Sequence, residues 1–179
     1  HSVVRRQRQM CIRDSYLEVT APVETEMGGI RFEDNGDVTI ITGTLDYGQG
    51  HAVAFAQVLH SFLGIPFERI KLLQGDSDEL ITGGGTGGSK SIMASGGAII
   101  EAATEVIKKA KTVAAYFFET SEEDIEFKNG NLTVAGTDKS VSLLELSSEL
   151  KTNFTKPDGM PDTLDCLLYT SDAADERQS

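Results

Sequence analysis

Alternating apolar and polar residues predict a β-hairpin in the first third of the chain. Ile30–Glu33 and Val38–Thr42 alternate and are rich in β-branched residues, and Asp34-Asn35-Gly36-Asp37 lies between them. Asn-Gly between two such runs is a strong signal for a tight turn. We therefore predict two antiparallel strands, the second of which runs into the glycine-bearing segment 43–50.

The pattern then changes to helical spacing. A helix is predicted from His51 to Leu63, with a second apolar face formed by Ala54 and Val58, and its main apolar stripe comprises Ala52, Phe55, Ala56, Leu59 and Phe62 or Leu63. Gly64 is expected to end this helix. Arg69–Leu73 has the composition of a strand, so the order strand, turn, helix, strand predicts a βαβ unit.

A long helix is predicted over residues 92–118. Apolar or small residues recur there at helical spacing, at Ile92, Gly96, Ile99, Ala103, Val106, Ala110, Val113 and Phe117. Glu105 and Lys109 are expected to form an i,i+4 ion pair on the polar face.

The last part of the chain predicts a second hairpin and a short helix. Glu126–Phe127 and Leu132–Val134 flank Asn129-Gly130, and Ser142-Leu143-Leu144-Glu145 is a capping-box pattern that opens a helix toward Leu150. Residues 152–165 are polar and are expected to form a loop. The predicted fold class is α+β.

Composition excludes several classes of protein. The chain of 179 residues is 39% hydrophobic and 25% charged, as in ordinary globular proteins. No apolar run approaches the roughly 18 residues of a membrane span. The net charge of −12 makes nucleic-acid binding unfavourable, and two cysteines cannot form a disulfide framework.

Both ends of the chain have the character of translated adapter DNA. Residues 5–14 can be back-translated into a DNA string whose reverse complement encodes residues 166–175, and the string resembles a sequencing-library transposon adapter. We therefore expect residues 1–15 and 166–179 to be artefactual tails that make no core, and residues 16–165 to be an internal, metagenomic fragment of a longer gene. The alternative is a basic N-terminal arm that acts as a targeting peptide or binds a polyanion.

Two glycine-rich loops carry the candidate chemistry. Gly48-Gln49-Gly50-His51 and Gly83–Ser91 each lead directly into a predicted helix, and the second contains five glycines in nine residues. Helix N-termini present free N–H groups, and glycine lets a ligand approach the backbone closely. The pair is suited to a diphosphate or a polar heterocycle, with Ser89, Lys90 and Ser91 as further donors. The alternative is that the glycines only form tight turns and helix caps.

Side chains in the first loop also have structural alternatives. Gln49 is able to donate and accept hydrogen bonds, but it also suits a solvent-facing turn. His51 could act as a base or ligand, although a histidine at a helix start more often caps or packs. No zinc-ligand spacing and no Gly-x-Ser-x-Gly motif is present in the sequence.

A family resemblance combines these motifs. The chain contains, in this order, Gly43-Thr44, Gly48-Gln49-Gly50-His51, Gln57, Leu63-Gly64-Ile65-Pro66, Ile70, Gly75-Asp76-Ser77-Asp78 and Gly83–Ser91. Across residues 16–165 it resembles the large, molybdopterin-binding subunit of the xanthine dehydrogenase, aldehyde oxidase and molybdenum carbon monoxide dehydrogenase family. The two glycine motifs are specific only in combination. Lys90 stands where many relatives carry arginine, and lysine keeps the positive charge at this position.

The resemblance implies a molybdenum–pyranopterin cofactor, in its cytosine dinucleotide form, held between the two loops. The implied cofactor-binding residues are Gly48, Gln49, Gly50, His51, Thr86, Gly87, Gly88, Ser89 and Ser91, with Gly88 nearest the metal. No side chain of the family ligates the molybdenum directly. The loops are therefore expected to converge in space.

The resemblance also implies a cytoplasmic oxidoreductase. The parent enzyme would hydroxylate an aldehyde or an N-heterocycle with oxygen from water and pass electrons to iron–sulfur clusters and FAD on partner subunits, in a homodimer of heterotrimers. The family's catalytic glutamate follows Gly-x-Gly near the C-terminus, and this chain contains no such segment, so the fragment alone is expected to be inactive. Two alternatives stay open: a non-catalytic nucleotide- or phosphate-binding module, and a truncated fragment without function.

Overall fold

The computed structural model describes residues 19–21, 25–80, 82–152, 157 and 159–171. Within these ranges the α-helices are α1 (His51–Leu63), α2 (Ser91–Phe118) and α3 (Leu143–Thr152). The strands are β1 (Thr25–Phe32), β2 (Val38–Thr42), β3 (Ile70–Leu73), β4 (Ile125–Lys128), β5 (Asn131–Val134), β6 (Ser140–Ser142) and β7 (Cys166–Ser171). The predicted α+β class is confirmed.

The larger sheet has the strand order β3-β2-β1-β7. β1 and β2 form the predicted antiparallel hairpin, in which Phe32 lies opposite Val38. β2 and β3 are parallel, and α1 provides the crossover that parallel neighbours require, so the predicted βαβ unit is also confirmed. Arg69 was predicted to open β3, but it lies in a short 3₁₀ turn, Phe67–Arg69, before the strand.

Helix α1 packs one stripe against the larger sheet and α2. Its buried apolar residues are Phe55, Ala56, Leu59 and Leu63, whereas Phe62 is 42% exposed, so Leu63 completes the stripe. Gly64 adopts a φ of 65°, and its amide donates to the carbonyl oxygen of His60 at 2.9 Å. A left-handed glycine after the last turn is a common helix end, so Gly64 ends α1 as predicted.

Helix α2 passes close to β1 because small residues line the contact. A Cβ atom on Gly28 would lie 2.5 Å from the carbonyl carbon of Ala98, so the strand and helix meet where neither has a large side chain. The predicted stripe is buried between Gly96 and Val113. The prediction is wrong at the two ends of the stripe, because Ile92 is 50% exposed and Phe117 is 41% exposed.

The predicted ion pair on α2 is wrong. Glu105 pairs with Lys108, at 3.6 Å, and Lys109 instead donates to the carbonyl oxygen of Asp165 at 2.6 Å. Lys109 therefore ties α2 to the segment that leads into β7.

The smaller sheet, in the order β4-β5-β6, continues the same core. Ile125, Leu132 and Val141 of its strands belong to one apolar cluster with Leu143, Leu146 and Leu150 of α3. Ser142 Oγ accepts the Glu145 amide at 3.1 Å, as the capping pattern predicts. The three-residue strand β6 was not predicted.

Strand β7 contradicts one expectation about the ends of the chain. It pairs with β1 from Thr25 opposite Ser171 to Ile30 opposite Cys166, and Cys166 belongs to the apolar core. The expectation that residues from 166 onward make no core is therefore wrong for β7. The adapter origin of this segment stays a prediction, and residues 1–15 and 172–179 lie outside the described residues.

Among the helices that the structure describes, none combines the length and the apolar character needed to cross a lipid bilayer.

Candidate functional site

The segment that leads into the first glycine-rich loop is hydrogen-bonded to the second loop. The Gly85 amide donates to the carbonyl oxygen of Gly43 at 3.2 Å. Thr86 Oγ1 donates to the Leu45 carbonyl oxygen at 2.7 Å and accepts the Leu45 amide at 3.0 Å. The loops therefore converge as expected, although about 35 residues of sequence separate their centres.

Close backbone packing requires glycine at the crossing point of the loops. A Cβ atom on Gly43 would lie 2.5 Å from Gly83 Cα and 2.6 Å from Glu26 Oε1, and one on Gly83 would overlap the Gly43 backbone. These two glycines therefore serve loop packing, which is the structural alternative considered for the motif.

One cavity of about 460 Å³ lies at the junction of the loops. Ala54, Phe55 and Ile92 supply its apolar wall. Of the predicted site residues, the cavity is lined by Gln49, His51, Thr86, Gly87, Gly88, Ser89 and Ser91. A cavity with an apolar wall and a few convergent polar groups is typical of a ligand site.

A smaller cavity of about 320 Å³, between the β1–β2 turn and α3, contains none of the predicted site residues. Lys151 lines it and already binds the Phe32 carbonyl oxygen at 2.6 Å and Asp34 Oδ1 at 2.9 Å.

Gly48 and Gly50 are not among the residues that line the larger cavity. The amides of this loop converge instead on the Asp46 carboxylate: Gly48 and Gln49 donate to Oδ1 at 2.7 and 2.9 Å, and His51 donates to Oδ2 at 2.9 Å. Asp46 thus caps α1 from four residues before its N-cap, Gly50.

These hydrogen bonds lower the pKa of Asp46. The bond from the Gly48 amide is the largest cause, and those from His51, Gly50 and Gln49 add to it, against a desolvation effect that raises the pKa. A carboxylate that already accepts several amides leaves few of them for a second anion. The amides of Gly48, Gln49 and His51 are therefore already bonded to a carboxylate, which disfavours this loop as a phosphate site.

The start of α2 differs from that of α1. Its N-cap residue, Lys90, makes no side-chain capping bond, and the first turn holds no acidic residue. Ser89 has a left-handed φ of 54°, which costs about 1–2 kcal/mol for a residue with a side chain. Of the two helix N-termini, that of α2 is therefore better suited to bind an anion.

Gly87 and Gly88 both line the cavity but have different surroundings. A Cβ atom on Gly87 would meet no atom within 4 Å, so the space beside it is free. A Cβ atom on Gly88 would lie 2.5 Å from Ala21 Cβ, and Gly88 has a φ of 63°. Substitution at Gly88 would therefore disturb the protein itself, so the effect of a bulky residue there would not report on a ligand.

Gln49 and His51 are held by each other and by the backbone. Gln49 Oε1 accepts the Tyr47 amide at 2.6 Å, and Gln49 Nε2 lies 3.2 Å from the Leu45 carbonyl oxygen and 3.1 Å from His51 Nε2. The ring of His51 is 5% exposed and lies 5.0 Å from the ring of Phe55. His51 therefore packs at the cavity wall, as the structural alternative supposed.

Sequence reasoning missed Asp46 and Gln74, which support this loop. Asp46 stands four residues before the N-cap of α1, whereas the recognisable capping signal is an aspartate immediately before the first helical residue, so the sequence pattern did not identify it. Gln74 follows β3 and has no comparable signal, because only the fold brings it to within 3.3 Å of His51 Nδ1.

No group of three or more metal-ligating side chains occurs among the described residues. The polar side chains that line the larger cavity are those of Gln49, His51, Thr86, Ser89 and Ser91.

Comparison with known proteins identifies the family of the chain. The family described as the molybdopterin cofactor-binding domain matches residues 11–162. The chain belongs to this family. Its cavity between two glycine-rich loops therefore lies in a domain type that binds a molybdopterin cofactor.

Two similar proteins are named as the large chains of two different enzymes. The chain is 39% identical over 119 residues to the nicotine 6-hydroxylase large subunit of Paenarthrobacter nicotinovorans, which covers 66% of this chain and 15% of that protein. It is 37% identical over 109 residues to the carbon monoxide dehydrogenase large chain of Hydrogenophaga pseudoflava, or 61% of this chain and 14% of that one. The chain thus spans about one seventh of the length of these relatives.

Solved structures show the same fold. A carbon monoxide dehydrogenase from Oligotropha carboxidovorans superposes with a TM-score of 0.75 and 31% identity, over 82% of this chain and 18% of that one. Quinoline 2-oxidoreductase from Pseudomonas putida 86 gives a TM-score of 0.72 and 25% identity, over 95% of this chain and 24% of that one.

The residues present fit part of such a cofactor. The free space beside Gly87 and the uncapped start of α2 suit a planar polar group with a phosphate, whereas the loop at Gly48 and Gly50 already holds Asp46. Gln49, Thr86, Ser89 and Ser91 are the polar side chains that line the cavity beside it, and Gln49 and Thr86 are held in place by bonds to the backbone of residues 45–47.

Proposed function

We propose that this chain is part of the large subunit of a molybdenum hydroxylase and holds the molybdenum–pyranopterin cofactor in the cavity between its two loops. The observation that carries the proposal is the cavity itself, because residues of both glycine motifs line it. The family match supplies the class of cofactor.

The second loop does most of the binding in this proposal. The backbone at Gly87 and Gly88 lets the cofactor approach closely, and the uncapped amides at the start of α2 bind its phosphate. Gln49, Thr86, Ser89 and Ser91 orient it, while Phe55 and Ile92 exclude water from one side. When bound, the molybdenum centre supplies two-electron redox chemistry.

The activity of the complete enzyme is a further part of the proposal. It would oxidise an aldehyde or an N-heterocycle with oxygen from water, and similarity to proteins named for nicotine and quinoline favours the heterocycle. The electrons would pass to iron–sulfur and FAD subunits in the cytoplasm, within a homodimer of heterotrimers. A relative named as the gamma subunit of a dehydrogenase complex supports assembly with partners.

Substitution of Gly87 by leucine tests the site in the complete large subunit, expressed with its partners. A side chain at Gly87 would enter free space of the cavity without meeting the chain itself. Overpacking costs about 1–3 kcal/mol, which corresponds to roughly 10- to 100-fold in affinity. We expect bound molybdenum, and the cytidine nucleotide released by acid hydrolysis, to fall together by that order.

Gly97→Leu is the matched control. A Cβ atom on Gly97 also meets no atom within 4 Å, and this residue of α2 does not line the cavity. Full molybdenum content in Gly87→Leu, or an equal loss in Gly97→Leu, would place the cofactor elsewhere. Release of a different nucleotide would contradict the cytosine dinucleotide form only.

The alternatives make different predictions for the complete gene. A non-catalytic nucleotide- or phosphate-binding module would lack a downstream Gly-x-Gly-Glu segment and would bind nucleotide without molybdenum. A truncated fragment without function would show no cooperative unfolding by circular dichroism. A gene with that segment, beside genes for iron–sulfur and flavin subunits, supports the proposed enzyme.

A further inference from the structure

A buried polar network lies beneath the first glycine loop. Thr42 and Thr44, at the end of β2, are 0% and 1% exposed, and His51 is 5% exposed. The side-chain nitrogen Nε2 of Gln74, after β3, is placed 2.7 Å from Oγ1 of each threonine and 3.3 Å from His51 Nδ1, and the two threonine hydroxyls lie 3.0 Å from each other. Buried polar groups are costly unless they are paired, so the hydrogen positions in this network are tightly constrained.

The orientation of the Gln49 amide is fixed by the backbone. The Tyr47 amide can only donate, so the atom 2.6 Å from it must be the oxygen of Gln49. The Leu45 carbonyl can only accept, so the atom 3.2 Å from it must be the nitrogen. The second proton of that nitrogen is directed at His51 Nε2, 3.1 Å away, which must therefore be an acceptor.

A histidine with an acceptor at Nε2 is neutral and carries its proton on Nδ1. That proton faces the Gln74 amide, so the neutral His51 assignment requires the two ends of this amide to be exchanged, with the oxygen at the position of the nitrogen. The nitrogen at this position would place N–H against N–H at the His51 contact. Threonine hydroxyls can donate as well as accept, so Thr42 and Thr44 can each donate to the oxygen, in place of the hydrogen bond of 3.0 Å between the two hydroxyls.

We propose that Gln74 is a positioning residue: its amide oxygen holds His51 as the neutral Nδ1–H tautomer, and His51 Nε2 in turn holds the Gln49 amide at the cavity wall. The tautomer follows from contacts within this chain. Its importance for the cofactor rests on the proposed function, because Gln49 lines the cavity proposed for that cofactor.

Nitrogen-15 NMR of the histidine rings tests the assignment in the 179-residue chain. We expect a protonated Nδ1 and an unprotonated Nε2 for His51 at neutral pH. His60 is the internal reference for a folded chain, since its Nδ1 lies 2.7 Å from the Ile65 carbonyl oxygen, which can only accept. Detection of the Nε2–H tautomer of His51 would overturn the proposal. So would His51 nitrogen shifts that are averaged between the two tautomers while His60 shows the Nδ1–H tautomer alone.

Gln74→Met tests the role of the amide oxygen, and Gln57→Met, on the exposed face of α1, is the matched control. We expect Gln74→Met to bring the two ring-nitrogen shifts of His51 closer together and to speed hydrogen exchange of the Gln49 side-chain amide. Gln57→Met should change neither. Unchanged His51 shifts in a folded Gln74→Met variant would overturn the proposal. Failure of the cofactor test at Gly87 would leave these NMR results intact, so the two proposals fail separately.

Discussion

At the scale of single residues, one carboxylate changes the function of a glycine loop. A Gly-x-Gly segment before a helix predicts that amides point at a common position, but it does not say which acceptor occupies that position. Here the acceptor is Asp46 of the same loop, with the Gly48 amide at 2.7 Å. The loop is therefore held by its own carboxylate, and Gln49 and His51 project from that hydrogen-bonded backbone.

Asp46→Asn should lower the melting temperature of the chain at neutral pH. Asparagine keeps one acceptor oxygen but loses the charge that favours the start of α1. Because the folded-state pKa of Asp46 is lowered, its contribution is complete above the ordinary value of 3.8 and is lost as the pH falls through the lower folded-state value. The difference from the wild type should therefore vanish at strongly acidic pH.

Thermal unfolding followed by circular dichroism across this pH range measures the effect. Asp138→Asn, in the exposed turn between β5 and β6, removes the same charge away from the loop and is the control. A difference between wild type and Asp46→Asn that persists at strongly acidic pH would assign the effect to side-chain shape rather than to charge.

Single residues also show how far the sequence predicts the site. Seven of the nine predicted residues line one cavity, because the glycine motifs and the family resemblance identify the loops well. The roles of individual glycines were not predictable. Gly83 is required by the backbone of Gly43 and Gly88 by Ala21, and both contacts depend on tertiary structure.

At the scale of elements, prediction succeeded where a period repeats and failed where it does not. Helices α1 and α2 and both hairpins were predicted because apolar spacing and Asn-Gly turns are local signals. β6 has three residues, too few for a pattern. The sequence of β7 was assigned to an adapter, yet the unpaired edge of β1 accepts it as a neighbour.

Truncation after Asp165 tests whether β7 stabilises the fold. We expect the free energy of unfolding to fall by on the order of 2 kcal/mol, because Cys166 is buried and Leu168 packs against the core. Chemical denaturation measures the loss, and truncation after Ser171, which retains β7, is the control. Equal or higher stability of the shorter chain would favour the original expectation that the segment makes no core.

The thiol of Cys166 gives a second measurement of the same contact. Burial raises the pKa of Cys166, so alkylation should be slow while β7 is paired with β1. The experiment uses a Cys11→Ser background, because Cys11 is the other cysteine of the chain. Fast alkylation of Cys166 in the folded chain would show that β7 is not docked.

At the scale of the whole molecule, exposed apolar residues near the starts of α1 and α2 indicate a surface that another part of the protein covers. Leu45 and Tyr47 precede α1, Val53 lies in its first turn, and Ile92 and Met93 lie in the first turn of α2. All five are at least 36% exposed, and Tyr47 reaches 71%. Exposed apolar patches of this kind mark interaction surfaces. Because the chain spans about one seventh of its relatives, we expect the remainder of the large subunit to cover this face.

Met93→Glu should weaken self-association of the isolated chain without lowering its stability. Met93 is 61% exposed, so the change removes apolar surface from the patch and little from the core. A loss of about 1.4 kcal/mol would weaken association about tenfold, which sedimentation of the chain over a range of concentrations measures. Phe62→Glu, at the other end of α1, adds the same charge to the net −12 and is the control. Equal effects of the two variants would assign the change to general charge repulsion, whereas an effect confined to Met93→Glu would locate the self-associating surface at the start of α2, next to the cavity-lining residue Ile92.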